Sequence, residues 1–279
     1  MIDQSEIEHI YTNAYVPEHL VDYVSAISVA EPFLFEQYLC YKRDETLIFI
    51  GYPLGVPFDQ KQMESNLEVA AKALKPRIVA LLAPIIGLSR VRPIQRSVDS
   101  YYRLDLDGFI ASLGVQGMVR RASRELFVEA GKEWGKEHGA LITEFLSSHE
   151  VSEETESIFA RIPEYMASAT TALLLSARNH EGTLIALDVV DYGSKDYVFY
   201  MFNFASREHY VPGASDLLLH ELVNIAQQKG KRFINLGLAI NKGITFFKQK
   251  WGGAPFLNHE FILYETQKTA SLIDLLGRL

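Results

Sequence analysis

The feature that most constrains the fold is a series of apolar segments between residues 171 and 208, interrupted by two short polar turns. The segments TALLLSAR, TLIALDVVD and YVFYMFNFASRE are rich in aliphatic and aromatic residues, and NHEG and YGSKD separate them. Tight turns between such segments favour strands that pair in sequence order. We therefore predict an antiparallel meander of three strands in the second half of the chain.

After the meander, the pattern changes to alternating helices and strands. Gly213 opens a helix whose apolar stripe includes Leu218 and Leu222, and Gly230 closes that helix as a C-cap. The rest of the pattern predicts a strand, a short helix ended by glycine, and a final strand, in the segments FINLGL, ITFFKQKW and FLNHEFILYE. The element order of this half is therefore β-β-β-α-β-α-β.

This order, with a glycine at the start of the helix after the third strand, resembles the N-acetyltransferase (GNAT) superfamily. The segment 210–253 resembles the FemAB-like branch, which includes the C-terminal region of phosphatidylglycerol lysyltransferases. In this branch small residues precede a Leu-rich helix, a strand ends in Gly, and a Phe-Lys-x-x-Trp/Phe-Gly helix follows. The last of these is represented here by Phe247-Lys248-Gln249-Lys250-Trp251-Gly252.

The resemblance implies a fold class and a division of the chain. It implies an α/β (α+β) protein of two tandem GNAT-like domains, with mixed, mostly antiparallel sheets flanked by helices. Residues 1–110 are expected to form a degenerate domain, and residues 111–279 a domain with the active cleft. The segment 170–264 carries the resemblance, and the first domain is assigned from architecture alone.

Patterns in the first part of the chain agree with such a domain. Two apolar aromatic runs in 33–55 flank the polar residues KRDE and predict a β-hairpin. Asp59 precedes a stretch of helical spacing that Pro76 ends, and strands are predicted over 78–82 and 100–107.

A second amphipathic pattern runs from Val119 to His138 and predicts one helix. Arg120 and Arg124 lie one turn apart on it, so they are candidates to bind a carboxylate or a phosphate of a substrate. The alternative is a solvated charged face, since acidic residues are interleaved with the arginines.

The donor site implied by the resemblance lies at the start of the helix after the meander. There the pyrophosphate of an acyl donor would meet exposed amides, and Gly213, Ala214 and Ser215 occupy that place. The preceding residues do not match the superfamily's Gln/Arg-x-x-Gly-x-Gly/Ala loop, and Asp216 competes with a phosphate for the same amides. The alternative interpretation is a well-capped helix start.

Two ionisable residues are candidates for the chemistry of acyl transfer. Lys248 is the candidate to stabilise an oxyanion or a carboxylate, because the resemblance places it on the short helix that faces the cleft. Its alternative is a solvated lysine beside Lys250. Asp188 lies in the middle of an apolar strand, where burial would raise its pKa and make it a usable base. Its alternative is a structural aspartate with a basic partner.

Three asparagines in apolar surroundings, Asn203, Asn235 and Asn241, are candidates to orient substrate amides or to cap main-chain groups. No metal role is expected, because His138 and His220 lack partners at metal-ligand spacing. Hydrolase, zincin, P-loop and dinucleotide-binding motifs are absent from the sequence.

Composition limits the remaining classes. The chain has 279 residues and a formal net charge of −8, and its one cysteine, Cys40, excludes an internal disulfide framework. The acidic balance argues against broad binding of nucleic acids. The beginning of the chain does not read as an export signal, and the apolar stretch at 78–88 is too short to span a bilayer. A cytoplasmic location without a membrane span is therefore expected.

We interpret the sequence as an N-acyltransferase that moves an acyl or aminoacyl group from an activated donor to an amine. The expected partners are a small-molecule acyl donor and an amine acceptor. The donor is a coenzyme A thioester or, as the FemAB-like resemblance implies, an aminoacyl-tRNA. The alternative is a non-catalytic module of the same fold that binds a ligand or a partner.

Overall fold

The computed structural model describes residues 2–87 and 92–266. Its helices are α1 Gln4–Asn13, α2 Val21–Ser28, α3 Gln60–Leu74, α4 Leu113–Ala122, α5 Lys136–Ser148, α6 Glu153–Ala160, α7 Ile162–Ser168, α8 Ala214–Gln228 and α9 Lys242–Lys250, with a short 3-10 helix at Pro17–His19. Its strands are β1 Glu31–Phe35, β2 Tyr38–Arg43, β3 Thr46–Ile50, β4 Ile78–Ala83, β5 Pro93–Asp105, β6 Leu126–Gly131, β7 Ala172–Asn179, β8 Leu184–Asp191, β9 Tyr197–Ala205, β10 Phe233–Leu238 and β11 Ala254–Glu265.

Across the described residues the strands form one eleven-stranded sheet, in the order β1-β2-β3-β4-β11-β5-β10-β9-β8-β7-β6. The pairs β3–β4 and β9–β10 are parallel, and the other pairs are antiparallel. The predicted fold class, a mixed and mostly antiparallel α/β architecture flanked by helices, is confirmed.

The last strand crosses between the two parts of the chain. β11 lies between β4 and β5, with Ile262 opposite Leu81 on one side and opposite Arg96 on the other. Strands of the first part and of the second part therefore interleave in one sheet. The division at residue 110 into two domains stays a prediction.

The first part contains the elements that its pattern predicted. β2 and β3 form the hairpin around residues 42–45, and the Asp59 carboxylate accepts a hydrogen bond from the amide of Gln62 at the start of α3. A side chain that accepts from the first-turn amides satisfies donors that have no partner within the helix. The apolar face of α3 then packs on the sheet through Met63 and Leu67.

The prediction of one helix over 119–138 was wrong. α4 ends at Ala122, and residues 126–131 form β6, which pairs antiparallel with β7 at the edge of the sheet. Leu126, Phe127 and Val128 suit a strand, and Gly131 weakens a helix, so pairing with β7 overrides the helical spacing. Within this span only residues 119–122, at the end of α4, and 136–138, at the start of α5, are helical.

The second part follows the predicted order. β7, β8 and β9 form the antiparallel meander, and α8, β10, α9 and β11 follow it. One face of the meander packs against α8 through Leu218 and Leu222, while the other face packs against α5 and α7 through residues such as Leu141 and Tyr165. The meander is therefore buried on both faces, and every residue of β8 is buried.

Within residues 2–87 and 92–266, no helix has the length and the apolar character needed to cross a bilayer. The same residues contain no cluster of three or more His, Cys, Asp or Glu side chains with the geometry of a metal site.

Candidate active site

The strands β9 and β10 are paired only where they begin. Phe233, Ile234 and Asn235 pair with residues 197–199, and in the described structure the pairing of these two strands stops there. Beyond that point β9 remains bonded to β8, and β10 remains bonded to β5. Two strands that part while each keeps its outer neighbour leave an opening between them, lined by main-chain groups that lack ladder partners.

Both strands are irregular where they part. Against β8, Phe202 lies opposite Val189 and Tyr200 lies opposite Val190, so Met201 is an extra residue in β9. Against β5, the register shifts between Asn235 and Gly237 in β10. Bulges of this kind bend a strand and redirect its side chains, and they are common beside active sites.

Gly237 keeps the space inside the opening free. Its φ of +75° lies in the left-handed region, which favours glycine. A Cβ at this position would lie 3.7 Å from the Lys248 Nζ and 3.8 Å from the main-chain oxygen of Tyr200. The Lys248 ammonium and the Tyr200 carbonyl therefore flank a space that only a residue without a side chain leaves open.

Lys248 is buried at this opening. Its residue surface is 3% exposed, and Nζ donates a hydrogen bond to the main-chain oxygen of Leu238. Burial lowers the pKa of Lys248 from 10.5 to about 8, and the negative charge of Asp99 opposes part of that shift. Lys248 is therefore not a solvated lysine, because the protein around the opening covers nearly all of its surface.

The state of Lys248 suits a group that stabilises negative charge. At neutral pH a lysine with a pKa near 8 is mainly the ammonium, which has three N–H donors. Leu238 takes one of them, so donors remain for an oxyanion or a carboxylate placed in the opening. In such a buried place a hydrogen bond to developing charge is stronger than in water.

The predicted donor residues lie at the start of α8, where another helix packs closely. Gly213 has a φ of +87° and provides no side-chain cap to the first-turn amides. A Cβ on Gly213 would lie 2.8 Å from the main-chain oxygen of Met118 in α4. Gly213 therefore has a packing role, since it lets α4 approach α8, while Ala214 is buried and Ser215 is partly exposed.

Asp216 does not cap its own helix. Its carboxylate accepts a hydrogen bond from the Trp251 indole N–H at 2.9 Å and forms an ion pair with the Lys250 Nζ at 2.6 Å. Asp216 is 4% exposed and Trp251 is 2% exposed. Their buried hydrogen bond therefore links the start of α8 to the end of α9. The expected competition of Asp216 with a phosphate is thereby reduced, because α9 engages its carboxylate.

Asp188 is buried beneath the first turn of α8 and begins a chain of hydrogen bonds that leads to two partly exposed residues, Asn203 and Ser215. The Asn203 side-chain amide donates to its Oδ1 at 2.6 Å, and the Ser215 hydroxyl donates to the Asn203 carbonyl oxygen at 3.0 Å. Burial raises the pKa of Asp188 from 3.8 to about 8, and the hydrogen bond from Asn203 opposes the shift. The residue has no exposed surface, and in the described structure its Oδ2 has no hydrogen-bond partner.

The other two asparagines bond main-chain groups. Asn235 donates to the Tyr15 carbonyl oxygen at 2.9 Å and accepts from the Gly237 amide at 2.8 Å, which fixes β10 just before the opening. Asn241 caps α9 by accepting from the Ile244 amide at 3.0 Å. Both residues thus hold the elements that shape the opening.

The two candidate arginines lie at the end of α4 and just beyond it. Arg120 and Arg124 are exposed, and across residues 2–87 and 92–266 their side chains form no hydrogen bond or ion pair. Because α4 contacts the start of α8 at Gly213, Arg120 lies on the helix next to the predicted donor site. Their positive charges therefore remain available to an anion.

Sequence reasoning missed Asp99 and the role of Gly237. The Asp99 carboxylate accepts hydrogen bonds from the amides of Ser100, Ala239 and Ile240, at 2.6, 3.1 and 3.0 Å. It holds the chain after β10 next to the leucine carbonyl that Lys248 bonds. An aspartate just before the alternating segment SYYRLDLD was the available signal, but two of its three partners lie about 140 residues away.

The chain is similar to known proteins in structure but not in sequence. No protein-family model and no curated protein matches the chain. Among solved structures, FemX matches with a TM-score of 0.67 at 11% identity over 98% of both chains. L-PGS from Bacillus licheniformis matches with a TM-score of 0.60 at 15% identity, over 99% of this chain and 96% of that one. A tandem GNAT protein from the clavulanic acid biosynthesis pathway matches with a TM-score of 0.53 at 14% identity, over 83% and 79%.

These likenesses establish the fold. The chain has the GNAT/FemAB-like fold that the segment 210–253 predicted, and its structural neighbours include tandem GNAT proteins. At such low identity they do not extend to substrates or to the roles of single residues.

Proposed function

We propose that this protein is an N-acyltransferase whose reaction centre is the opening between β9 and β10. The observation that carries the proposal is Lys248, an almost fully buried ammonium whose Nζ, like the Tyr200 carbonyl, borders the space that Gly237 leaves free. Placing a cation at a gap between strands removes it from water, so such an arrangement needs compensation. A substrate group that becomes negative during the reaction provides it.

The proposed reaction forms an amide. A neutral amine attacks the carbonyl carbon of the donor, and the carbonyl oxygen becomes an oxyanion, to which Lys248 donates a hydrogen bond. The bond between the carbonyl carbon and the leaving group then breaks. The nitrogen loses one proton, and the leaving group, a thiolate or a ribose oxygen, gains one.

The donor is proposed to lie along the start of α8. Three features support this position: Gly213 provides no side-chain cap, Asp216 is engaged by α9, and Arg120 is exposed on the neighbouring helix. Amides of a first helical turn attract anions, so a phosphate of coenzyme A or of a tRNA end suits them. With a net charge of −8, the chain favours the smaller anion, since a whole tRNA requires a wider positive surface.

Asp188 as the general base stays a prediction. Its enclosure under α8 and its link through Asn203 to Ser215 support a different task, which is to hold the first turn of α8 in place. We propose that this chain of polar groups positions the donor site, while the amine loses its proton to solvent.

One observation favours the second candidate function, a non-catalytic binding module. The α4 carbonyl of Met118 approaches Gly213 so closely that part of the helix start is covered. A module of this kind would bind an anion at the part of the helix start that stays uncovered and would not transfer an acyl group.

The experiment that separates the two functions uses the purified protein with two labelled donors, acetyl-coenzyme A and lysyl-tRNA, and a primary amine as acceptor. Transfer is measured as label in the amide product, and binding is measured by the shift in melting temperature, since a ligand of the native state stabilises it. Label in the product from either donor supports the transferase. Stabilisation by a donor without product supports the module, and the absence of both contradicts both functions.

A further inference from the structure

A groove lies beside the opening, between the chain after β10 and the first turns of α9. Its volume is about 510 Å³, and Val98, Asp99, Ile240, Lys242 and Phe246 are among the residues that line it. It shares a chain segment with the reaction centre, because one wall begins at Ala239, the residue after Leu238, whose carbonyl Lys248 bonds. Lys248 does not line the groove, but Asp99 does, and the charge of Asp99 acts on Lys248, so a substrate bound at Asp99 lies near the reaction centre.

The groove combines apolar and charged groups in an unusual way. Val98, Ile240 and Phe246 are 66%, 71% and 67% exposed, although apolar side chains of this size are normally buried in a core. Grouped around one groove, they form an apolar patch of the kind that marks a binding surface. The wall is therefore suited to the apolar part of a ligand.

Ile240 is also held in a strained conformation. Its φ of +56° is left-handed, which is rare for a β-branched residue. The hydrogen bond from its amide to Asp99 maintains this conformation, at 3.0 Å. Strain of this kind persists when the surrounding structure imposes it, and it is concentrated at functional sites. Here it directs an apolar side chain into the groove, where it remains exposed.

Asp99 provides the polar group of the groove. An ionised carboxylate has about four acceptor positions, and the three main-chain amides that it binds leave one available. The residue is partly exposed, and its charge acts on Lys248. Lys242 lines the same groove, so the groove has one acidic and one basic side chain.

We propose that this groove is the acceptor site, and that it selects a primary monoamine on an apolar body. The ammonium form of the amine binds at the free acceptor position of Asp99 and releases one proton to solvent before it attacks as the neutral amine, and the apolar body lies against Val98, Ile240 and Phe246. A diamine of the same length would place its second cation against Lys242, so it is disfavoured. This inference rests on the proposed function for the role of acceptor, but the binding preference itself is independent of catalysis.

The test measures binding of three probes of equal apolar length: hexylamine, 1-hexanol and 1,6-diaminohexane. Titrations followed by methyl NMR signals of Val98 and Ile240 are expected to show hexylamine binding at least tenfold more tightly than either of the others. Equal binding of the alcohol would overturn the role of Asp99. Equal binding of the diamine would overturn the selection of a monoamine.

Variants locate the site. Phe246→Ser is expected to weaken hexylamine about fivefold or more, while Val69→Ser, at an exposed apolar position on α3, leaves it unchanged. Asp99→Asn keeps an oxygen for the amides of Ser100 and Ala239 but not for the amide of Ile240, so it is expected to weaken hexylamine several-fold more than 1-hexanol. Hexylamine binding that is insensitive to Phe246→Ser would contradict the assignment, even if transfer from a donor is observed. Selective binding of hexylamine without any transfer would support the groove as a monoamine site and would contradict the proposed transferase function instead.

Discussion

Lys248 and Asp188 are both buried ionisable groups with a pKa of about 8, but their surroundings differ. Lys248 lies where two strands part, next to a glycine that leaves space for a ligand. Asp188 lies within the meander, where α8 covers it and Asn203 bonds it. Burial shifts the pKa of both groups: it lowers that of Lys248 and raises that of Asp188. Only the group that borders an opening is able to meet a substrate.

The two groups also differ in what their loss would cost. Removing the buried charge of Lys248 relieves an unfavourable desolvation, so it should affect the reaction more than the fold. Removing the carboxyl of Asp188 breaks a chain of hydrogen bonds that reaches Ser215. Substitution of Lys248 should therefore reduce transfer more than stability, and substitution of Asp188 should change stability more than transfer.

The largest effect is expected for Lys248→Met. Loss of a buried donor to an oxyanion lowers the rate by roughly 100-fold to 1,000-fold. The matched control is Lys250→Met, two residues along in α9, where the lysine pairs with Asp216 and lies outside the opening. Single-turnover transfer from the donor identified by the assay above is the measurement. Similar losses in the two variants would remove the distinction that the comparison draws.

A smaller effect is expected for Gly237→Ala. The methyl group fills the space between Lys248 and the Tyr200 carbonyl, and the left-handed φ adds strain, so transfer is expected to fall about tenfold or more. Gly182→Ala is the control, because Gly182 also has a positive φ, of +86°, but no atom lies within 4 Å of its added Cβ. Kinetics and thermal melts of both variants are compared. If the two lose equal stability and keep equal activity, the space at Gly237 has no role in the reaction.

The smallest effect on transfer is expected for Asp188→Asn, within about threefold, with a distinct effect on stability. The folded pKa of Asp188 is about 8 and the ordinary value is 3.8, so between these values the folded state holds a proton that the unfolded state has lost. The free energy of unfolding then falls as the pH rises from about 4 to 8, by at most about 1.4 kcal/mol per pH unit.

The measurement for Asp188 is urea unfolding at several pH values. Asp188→Asn should lose this part of the pH dependence, while Asp107→Asn, at an exposed carboxylate, should keep it. A hundredfold loss of transfer in Asp188→Asn would support the general base instead. An unchanged pH dependence of stability would show that the carboxyl is not protonated in the folded state.

Much of the second half could be predicted from the sequence, because its information is local. Turn residues between apolar segments specify the meander, and Gly213 and Asn241 mark the starts of α8 and α9. The helix over 119–138 failed because the pairing of β6 with β7 joins residues about 50 apart along the chain. No local pattern reports such a contact.

The candidate site was predictable only in part. Lys248 was found through its motif, and Asp188 was found as a carboxylate in an apolar strand. The space at Gly237 depends on two strands that part and on a third element, α9, that brings Lys248 to the gap. The link from Asp99 to Ile240 joins β5 to the chain after β10, so it follows from the order of strands in the sheet and not from spacing in the sequence.

The most direct test of the central claim is the pH dependence of single-turnover transfer in the wild-type protein. If the Lys248 ammonium stabilises the oxyanion, the rate per neutral amine, which is the observed rate divided by the unprotonated fraction of the acceptor, must fall as Lys248 loses its proton, with a midpoint near pH 8. In Lys248→Arg, whose guanidinium stays protonated, any remaining activity should show no such fall. A wild-type rate per neutral amine that stays constant or rises from pH 7 to pH 10 would contradict the assignment of Lys248 to the reaction centre.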